Sequence, residues 1–463
     1  MCFNPKPVAT DTNIIIIPNA IAVIAILIIG AETLLLWFFV VTKRLAIKYS
    51  NFNFVMISNS RVKNTLLFLV TLLIYSVNSY SFSTEKKAIT ADSIPTIIVG
   101  AENTGAYFTL LQNKKVGILT NQTGVVRPNL ALNTYTSTVD FLLQNKIEVT
   151  KIYAPEHGFR GTADAGELIK DGKDTQTGLP IISLYGNSKK PSKEQLAGID
   201  ILVFDLQDVG ARFYTYISSL HYVMEACAEQ GLPILVLDRP NPNISIIDGP
   251  ILEMKNKSFI GMHPIPTLHG MTIGEYALMI NGEKWLTNGI QADLTVVPNL
   301  NYNRKLGYSL PVAPSPNLPN DQAINLYASL CFFEGTNVSS GRGTDLQFQI
   351  YGSPFLQQMP YSFTPKPNAG AKDPMNNGKL CYGENLAQHQ PVTRLELTWL
   401  LKAYRQSTNK DKFFTNFFIK LAGTDTLKQQ IIAGKTEDDI RQSWQSGLTA
   451  FTSMRTPYLL YTN

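Results

Sequence analysis

The stretch that decides the fold is residues 151–220. Residues 152–161 have the sequence IYAPEHGFRG, and residues 203–216 have the sequence VFDLQDVGARFYTY. In each segment a short apolar run, typical of a buried strand, ends abruptly in carboxylates, an arginine, aromatic side chains and glycines. Open α/β sheets bind their ligands at the carboxyl ends of their strands. The stretch therefore indicates an α/β fold with a site at the edge of the sheet.

A regular alternation of strand and helix patterns surrounds this stretch. Strands are predicted at residues 115–120, 148–153, 181–185, 201–204 and 234–237, and helices at 133–144, 193–196 and 215–229. Alternating strands and helices form parallel sheets with right-handed crossovers. The helix at 215–229 has one apolar face, formed by Tyr216, Leu220, Val223, Met224 and Cys227, and Gly231 is expected to end it.

The pattern changes beyond Pro264. A helix at 275–281 and a strand at 294–297 precede a proline-rich segment, residues 311–320. That segment is expected to be an ordered surface loop, either near the site or at a domain boundary. Residues 331–345 form a further polar cluster, and amphipathic helices are predicted at 394–405 and 438–450.

The N-terminal residues 1–82 resemble export signals instead of a folded domain. Residues 14–41 are almost continuously apolar, are followed by Lys43 and Arg44, and are long enough to span a bilayer. Residues 56–63 then form a basic lead, residues 66–77 an apolar core, and residues 77–81 contain small residues suited to cleavage. Either translation begins at Met56 or a membrane anchor precedes the signal. Both alternatives predict an exported protein, periplasmic or membrane-associated, whose catalytic part faces away from the cytoplasm.

The composition suits a globular protein and argues against a nucleic-acid binder. The chain has 463 residues, of which 44% are hydrophobic and 16% charged, with a net charge of +5. Its lysines and arginines are scattered, whereas a nucleic-acid binder gathers them on one face. The cysteines have no spacing that suggests a metal site or a disulfide framework. The glycine-rich nucleotide motifs and the GxSxG nucleophile motif are also absent from the sequence, so no cofactor is expected.

Polar residues follow five of the predicted strands. They are Asn121, the pair Glu156 and His157, Tyr185, the segment from Asp205 through Gln207 to Asp208, and the pair Asp238 and Arg239. Because the carboxyl ends of parallel strands share one edge, these side chains are expected to converge there. The alternative is that they are ordinary loop residues and helix caps.

Glu156 is the preferred candidate for a general acid. Its neighbours Ala154 and Phe159 are apolar and would favour the protonated form. The structural alternative is an ion pair with Arg160. A zinc helix is disfavoured, because position 161 is a glycine where a second histidine would be needed.

Asp205 or Asp208 would be a second carboxylate, oriented by Arg212. Most glycoside hydrolases use a pair of carboxylates that flank the bond to be cleaved. A buried aspartate–arginine pair that only holds the loop is the alternative. Tyr214 is suited to stacking on a sugar, although many aromatic residues belong to the core.

Two later residues complete the candidates. His269 would hydrogen-bond a substrate or the acid, or else satisfy local backbone groups. Arg342, within SGRGT at residues 340–344, offers a forked cation and backbone N–H groups to a carboxylate or phosphate, or else lies in a flexible turn.

The motifs APEHGFRG (154–161), TGLP (177–180), SLYG (183–186), residues 205–219, LDRPNP (237–242), LHGMT (268–272), GTN (335–337) and SGRGT (340–344) occur in this order. They resemble the motifs of the NamZ-type exo-β-N-acetylmuramidases. The resemblance extends from Thr96 to the C-terminus. The N-terminal extension departs from the family pattern and leaves the start site and anchoring open.

This resemblance implies a Rossmann-like parallel-sheet domain without a nucleotide (residues 95–285), a smaller α+β domain (residues 286–463) and a cleft between them. Family members remove terminal N-acetylmuramic acid from the non-reducing ends of peptidoglycan fragments, so muropeptides or disaccharides are the expected substrates. Glu156 matches the proposed catalytic residue of the family. The lactyl carboxylate of the sugar would be bound by Arg342, Arg239 or Arg212. Two rival hypotheses are a non-catalytic glycan-binding protein and a metal-dependent or phosphate-ester hydrolase on the same scaffold.

Overall fold

A computed structural model describes residues 96–156, 158–160, 171–186 and 188–462. The predicted membrane segment and signal peptide, residues 1–82, lie outside the described residues. Among the described residues, no helix combines the length and the apolar character needed to cross a bilayer.

The strands are β1 (Val116–Thr120), β2 (Val125–Val126), β3 (Thr136–Ser137), β4 (Val149–Ala154), β5 (Gly172–Lys173), β6 (Pro180–Ser183), β7 (Ile201–Asp205), β8 (Ile234–Leu237), β9 (Ile247–Asp248), β10 (Leu268–His269), β11 (Leu294–Val297), β12 (Ile350–Ser353), β13 (Tyr361–Phe363) and β14 (Cys381–Asn385). The helices are α1 (Phe108–Leu111), α2 (Thr138–Gln144), α3 (Lys193–Leu196), α4 (Tyr216–Gln230), α5 (Ile273–Gly282), α6 (Asp321–Leu330), α7 (Thr398–Gln406), α8 (Phe417–Ala422), α9 (Thr426–Ile432) and α10 (Glu437–Arg455). Short 3-10 helices include Cys331–Gly335, directly after α6.

The central element is a seven-stranded sheet with the order β11-β8-β7-β1-β4-β6-β5. Its strands pair in parallel except for β5, which is antiparallel to β6. The chain builds β4 and β6 on one side of β1 and then returns to place β7 on the other side. The switch point of this α/β sheet therefore lies between β1 and β7, where open sheets have their ligand crevice.

Apolar side chains cover both faces of this sheet. On β7, Ile201 and Val203 pack in one core cluster, whereas Leu202 and Phe204 pack in the other. This alternation is the two-residue period of a strand that is buried on both faces. Helices α4 and α5 cover one face, and α1 and α2 cover the other. The predicted α/β class and its parallel sheet are confirmed.

The C-terminal part of the chain contains a smaller sheet. Its three strands are antiparallel in the order β12-β14-β13. Helices α6 to α10 pack with it in the same core cluster as α4 and α5, and the described residues form one compact unit. The sheet of the first domain extends past the predicted boundary after residue 285, because β11 pairs with β8.

Local signals explain where the predicted elements match and where they differ. Helix α4 ends at Gly231, whose φ of 63° is the left-handed conformation that glycine adopts readily. The helix predicted at 133–144 begins only at Thr138, because residues 136–137 pair with β2 as strand β3. There the Ser137 side chain accepts a hydrogen bond from the Val139 N–H at 3.2 Å and caps the helix.

Candidate active site

A cavity of about 820 Å³ opens at the carboxyl edge of the seven-stranded sheet. One wall comes from residues after β4 and β6 and from the segment before α4. Another part of the lining comes from the C-terminal part of the chain, around the 3-10 helix Cys331–Gly335 and residues 370–375. Of the sequence-predicted site residues, the cavity is lined by Glu156, Tyr185, Tyr214 and Arg342.

Glu156 lies just beyond β4 and is held by two hydroxyl groups. The Tyr185 hydroxyl, beyond β6, donates to Oε1 at 3.0 Å. The Thr215 hydroxyl, at the N-terminus of α4, donates to Oε2 at 2.9 Å. Hydroxyl groups both donate and accept, so they can hold this carboxyl group in either protonation state. The geometry is that of an oriented acid or base at the rim of a sheet.

Tyrosines form the layer next to Glu156. Burial raises the pKa of Tyr185 and of Tyr216, and the nearby charge of Glu156 raises both further. These phenols therefore remain protonated hydrogen-bond donors. Asn121 donates from Nδ2 to the Tyr216 hydroxyl at 2.5 Å, so it supports this layer from below and does not line the cavity.

The proline-rich segment is an ordered loop beside the cavity. The Tyr214 hydroxyl donates to the carbonyl oxygen of Pro314 at 2.7 Å. Ser315, Asn317 and Leu318 of the same loop line the cavity. Of the two expectations for this segment, the structure thus agrees with an ordered loop beside the candidate site.

An ion pair between Arg342 and Glu334 lines the cavity from the C-terminal half of the chain, and the sequence did not predict it. Arg342 donates from Nε to Oε1 of Glu334 at 2.5 Å, and the two side chains are 23% and 25% exposed. The Arg342 guanidinium lies 5.0 Å from the centre of the Phe348 ring. Burial alone would lower the pKa of Arg342, but the Glu334 carboxylate raises it.

Asp205 does not reach this cavity. It is fully buried and forms a two-point ion pair with Arg239, with distances of 2.6 Å to Nε and 3.0 Å to Nη2. Arg239 also donates to the backbone oxygen of Val125 at 3.0 Å. The pair fills the region between the ends of β1, β7 and β8, so neither residue is available to a substrate in the cavity.

Asp208 and His269 form a second buried group. Asp208 is 2% exposed and accepts a hydrogen bond from the Gly210 N–H at 2.7 Å. His269 Nε2 lies 3.4 Å from the same carboxylate. The Gln207 amide nearby donates to the backbone oxygens of Asp208 and Pro240. These three side chains hold the loop that follows β7, and none of them lines the cavity.

Asp238 and Arg212 were also predicted to contribute to the site, but both bind other parts of the protein instead. Buried Asp238 accepts hydrogen bonds from Thr272, Gly274 and Tyr461, and burial raises its pKa to about 7 although these hydrogen bonds oppose the change. Arg212 is fully buried and donates to four backbone carbonyls, those of Pro250, Ile265, Leu421 and Ala422.

Arg160 pairs with Asp174 at 2.8 Å. His157 lies outside the described residues. Within the described ranges, no group of three or more His, Cys, Asp or Glu side chains is placed to hold a metal ion.

Sequence reasoning missed Thr215, Phe259 and Glu334. Thr215 lies between Tyr214 and Tyr216, where the aromatic residues were the stronger signal. Phe259 lies in a segment whose sequence has no recognisable pattern. Glu334 lies within the polar cluster at 331–345, which was noticed as a whole. Which member of that cluster faces the cavity depends on the 3-10 helix that follows α6.

Fold and site together define a class of protein. A carboxyl group is oriented by hydroxyls at the edge of a parallel sheet, inside a cavity with aromatic, acidic and basic walls. Such an arrangement suits an α/β enzyme that hydrolyses glycosidic bonds.

Comparison with known proteins gives the family. The model described as exo-β-N-acetylmuramidase NamZ, N-terminal, matches residues 116–322, and its C-terminal counterpart matches residues 325–461. The chain is 37% identical over 430 residues to peptidoglycan β-N-acetylmuramidase NamZ of Bacillus subtilis (strain 168), covering 86% of this chain and 100% of that protein. The chain therefore belongs to the exo-β-N-acetylmuramidase NamZ family, as the motifs indicated.

Two solved structures are similar to this fold. Both are DUF1343 family proteins of Bacteroides fragilis NCTC 9343. One has a TM-score of 0.72 at 46% identity and covers 80% of this chain and 99% of its own. The other has a TM-score of 0.66 at 28% identity and covers 79% of this chain and 99% of its own. The two family models meet within α6, between residues 322 and 325.

Proposed function

We propose that this protein is an exo-acting glycosidase that releases N-acetylmuramic acid from the non-reducing ends of peptidoglycan fragments. Membership of the NamZ family supports the reaction and the substrate class. The observation that carries the proposal within this chain is the position of Glu156, which two hydroxyl groups orient into the cavity.

Glu156 acts as the general acid in this proposal. It gives a proton to the oxygen of the glycosidic bond, so that the leaving sugar departs as a neutral alcohol. Tyr185 and Thr215 aim the carboxyl group. Phe259 lines the cavity and lies 6.1 Å from the Tyr185 ring, centre to centre. It therefore offers an apolar surface beside the acid, where the leaving sugar would stack.

Arg342 binds the lactyl carboxylate of the substrate. Of the three arginines considered for this task, Arg212 and Arg239 are fully buried and bonded to protein oxygens. Arg342 lines the cavity and uses only Nε for Glu334. Its Nη1 and Nη2 have no hydrogen-bonded acceptor within the part of the protein that the structure describes. This edge of the guanidinium matches the two oxygens of a carboxylate.

The test is release of free N-acetylmuramic acid from N-acetylmuramyl-β-1,4-N-acetylglucosamine by the full chain. Turnover by the wild type and a loss of roughly 10²–10⁴-fold or more in Glu156→Gln would support the proposal, because a positioned general acid contributes about that much. Glu194→Gln is the matched control, because Glu194 is exposed on the first turn of α3. Binding of the disaccharide without turnover by the wild type would favour a glycan-binding protein. Loss of turnover on chelation would favour the metal-dependent alternative.

We further propose that the protein is exported, either cleaved after the second apolar segment or anchored by the first. The sequence of residues 14–81 supports this, through its two apolar runs, the Lys43 and Arg44 that follow the first, and the basic lead at residues 56–63 before the second. Peptide mapping of the protein isolated from its cells would test it. A mature N-terminus near residue 80 indicates cleavage, and intact residues 1–55 in the membrane fraction indicate anchoring. A full-length chain in the cytoplasmic fraction would contradict export.

A further inference from the structure

Glycosidic bond cleavage needs negative charge opposite the acid. As the bond breaks, positive charge develops at the anomeric carbon and the ring oxygen, and most glycosidases meet it with a second carboxylate. The two carboxylates expected from the sequence do not meet this need. Asp205 is fully buried in its ion pair with Arg239. Asp208 is also buried and does not line the cavity. The second carboxylate is therefore to be sought on the walls of the cavity itself.

Among the described residues, the carboxylates that line the cavity are Glu156, Glu334 and Asp373. Asp373 is exposed in the segment 370–375. Glu334 is three-quarters buried and lines the same cavity as Glu156, from the C-terminal half of the chain. Its oxygens are held individually, Oε1 by Arg342 Nε at 2.5 Å and Oε2 by the Cys331 thiol at 3.8 Å.

The element that carries Glu334 is rigidly placed. The 3-10 helix Cys331–Gly335 contains Phe332 and Phe333, both fully buried in the main core cluster. Gly335 lies so close to the backbone of Phe418 that a Cβ at this position would collide with it. Core packing on one side and the Arg342 contact on the other therefore preorganise this carboxylate, as a site that stabilises charge requires.

We propose that Glu334 is the second catalytic carboxylate of the proposed muramidase reaction and acts on the anomeric carbon from the part of the cavity lining that the C-terminal half of the chain supplies. This inference rests on the proposed function. The Arg342 guanidinium donates to the Glu334 carboxylate, and the Tyr185 and Thr215 hydroxyls orient Glu156. In this proposal Glu156 is the acid and Glu334 is its charged partner.

The reaction can be written with these two groups. Glu156 gives its proton to the glycosidic oxygen, and the electron pair of the bond between C1 and that oxygen leaves with the departing sugar. The Glu334 carboxylate stabilises the positive charge at C1 and the ring oxygen. Water then supplies a hydroxyl group to C1, and its remaining proton passes to one of the two carboxylates, so no oxidant, reductant or further reactant is needed.

N-acetylmuramyl β-fluoride separates the two roles, because fluoride leaves with its electron pair and needs no proton. On this substrate, Glu156→Gln is expected to keep turnover within about tenfold of the wild type. Glu334→Gln is expected to lose roughly 10³-fold or more in kcat on the fluoride and on the disaccharide alike. Glu334→Ala with added azide is the second variant. There azide forms a bond to C1 as the bond to fluorine breaks, and muramyl azide is the expected product.

The controls distinguish catalysis from positioning and from failure of the proposed function. Arg342→Lys reports what disturbing the ion pair does without removing the carboxylate. If Glu334 only positioned Arg342, Glu334→Gln would copy that variant, with a raised KM and nearly unchanged kcat, and this result would overturn the proposal. So would near-wild-type kcat in Glu334→Gln, which is expected if the 2-acetamido group of the sugar supplies the stabilisation. Absence of turnover by the wild type on both substrates would instead remove the proposed function.

Discussion

Arg239 and Arg342 are the same residue type in opposite surroundings. Arg239 is 1% exposed and is bonded to Asp205 and to the Val125 carbonyl, whereas Arg342 is 23% exposed and donates from Nε to Glu334. A substrate carboxylate can approach only the second of them. Arg239 lies within LDRPNP (237–242) and Arg342 within SGRGT (340–344), and both were candidates for binding the carboxylate from the sequence. Exposure to the cavity depends on the packing of distant segments.

Replacing Arg342 by Ala is expected to raise KM for the muramyl disaccharide by about 10–100-fold. A hydrogen bond to a charged group contributes about 1.5–3 kcal/mol, and the lactyl carboxylate would lose its partner. A glucosaminyl disaccharide lacks that carboxylate, so its KM should change little. Arg342→Lys should recover only part of the affinity, because lysine lacks the fork. Steady-state kinetics on both disaccharides make the comparison, and equal KM changes would contradict carboxylate binding by Arg342.

At the level of secondary structure, the ends of β7 and β8 are closed by the Asp205–Arg239 pair. This pair lies at the switch point beside β1, where related α/β sheets leave a crevice for a ligand. Gly124 is also required there, because a Cβ at that position would collide with the Thr120 hydroxyl. The protein fills the crevice with its own side chains and opens its cavity farther out, above β4 and β6.

Asp205→Asn is therefore expected to destabilise the fold. The substitution leaves the Arg239 guanidinium charged and buried without its anion, which costs about 3–5 kcal/mol. Urea unfolding curves measure the loss. Asp425→Asn is the control, because its ion pair with Lys255 is exposed and screened by solvent, so its loss should change the free energy of unfolding little. Unchanged stability together with a large loss of kcat would instead identify Asp205 as a catalytic group.

The same elements show what a sequence can predict. The core strands and α4 were predictable because β7 is apolar on both faces and α4 has one apolar face with a glycine at its end. Convergence of polar residues at one sheet edge was also predictable. Whether a residue there faces the cavity or the neighbouring loop was not, since Glu156 and Asp205 both follow buried strands. Glu334 comes from the other half of the chain and could be placed only by the tertiary packing.

At the scale of the whole molecule, buried polar contacts join the two halves of the chain. Arg212 donates to carbonyls of Pro250 and Leu421, which lie far apart in sequence. Glu275, which caps α5, also binds Arg304 at 2.5 Å and accepts the backbone N–H of Leu460 at 2.9 Å. Because these buried contacts join segments from both halves, and both halves line the cavity, we expect the two halves to fold together.

A buried pair of histidines, His221 of α4 and His263, makes the free energy of unfolding depend on pH. His221 Nδ1 lies 2.9 Å from His263 Nε2, and His263 Nδ1 lies 2.8 Å from the Tyr276 hydroxyl. Burial lowers the pKa of His221 to about 4, although the nearby Glu225 carboxylate opposes the change. Burial and the neighbouring His221 also lower the pKa of His263. Lys190 and Lys257 act in the same direction on His221.

The unfolded chain binds a proton at His221 below about pH 6.5, whereas the folded protein does so only near pH 4. The free energy of unfolding should therefore fall as the pH is lowered through this window. Lowering the pH from 6.5 to 5 should cost about 2 kcal/mol through this residue, since one pKa unit corresponds to about 1.4 kcal/mol. Asp238 has a raised pKa and acts in the opposite direction, so the total profile is a sum. The difference between the wild type and His221→Asn, whose amide can replace Nδ1, isolates the histidine. Urea unfolding at both pH values should show a smaller decrease in the variant, and parallel decreases would contradict a neutral buried His221.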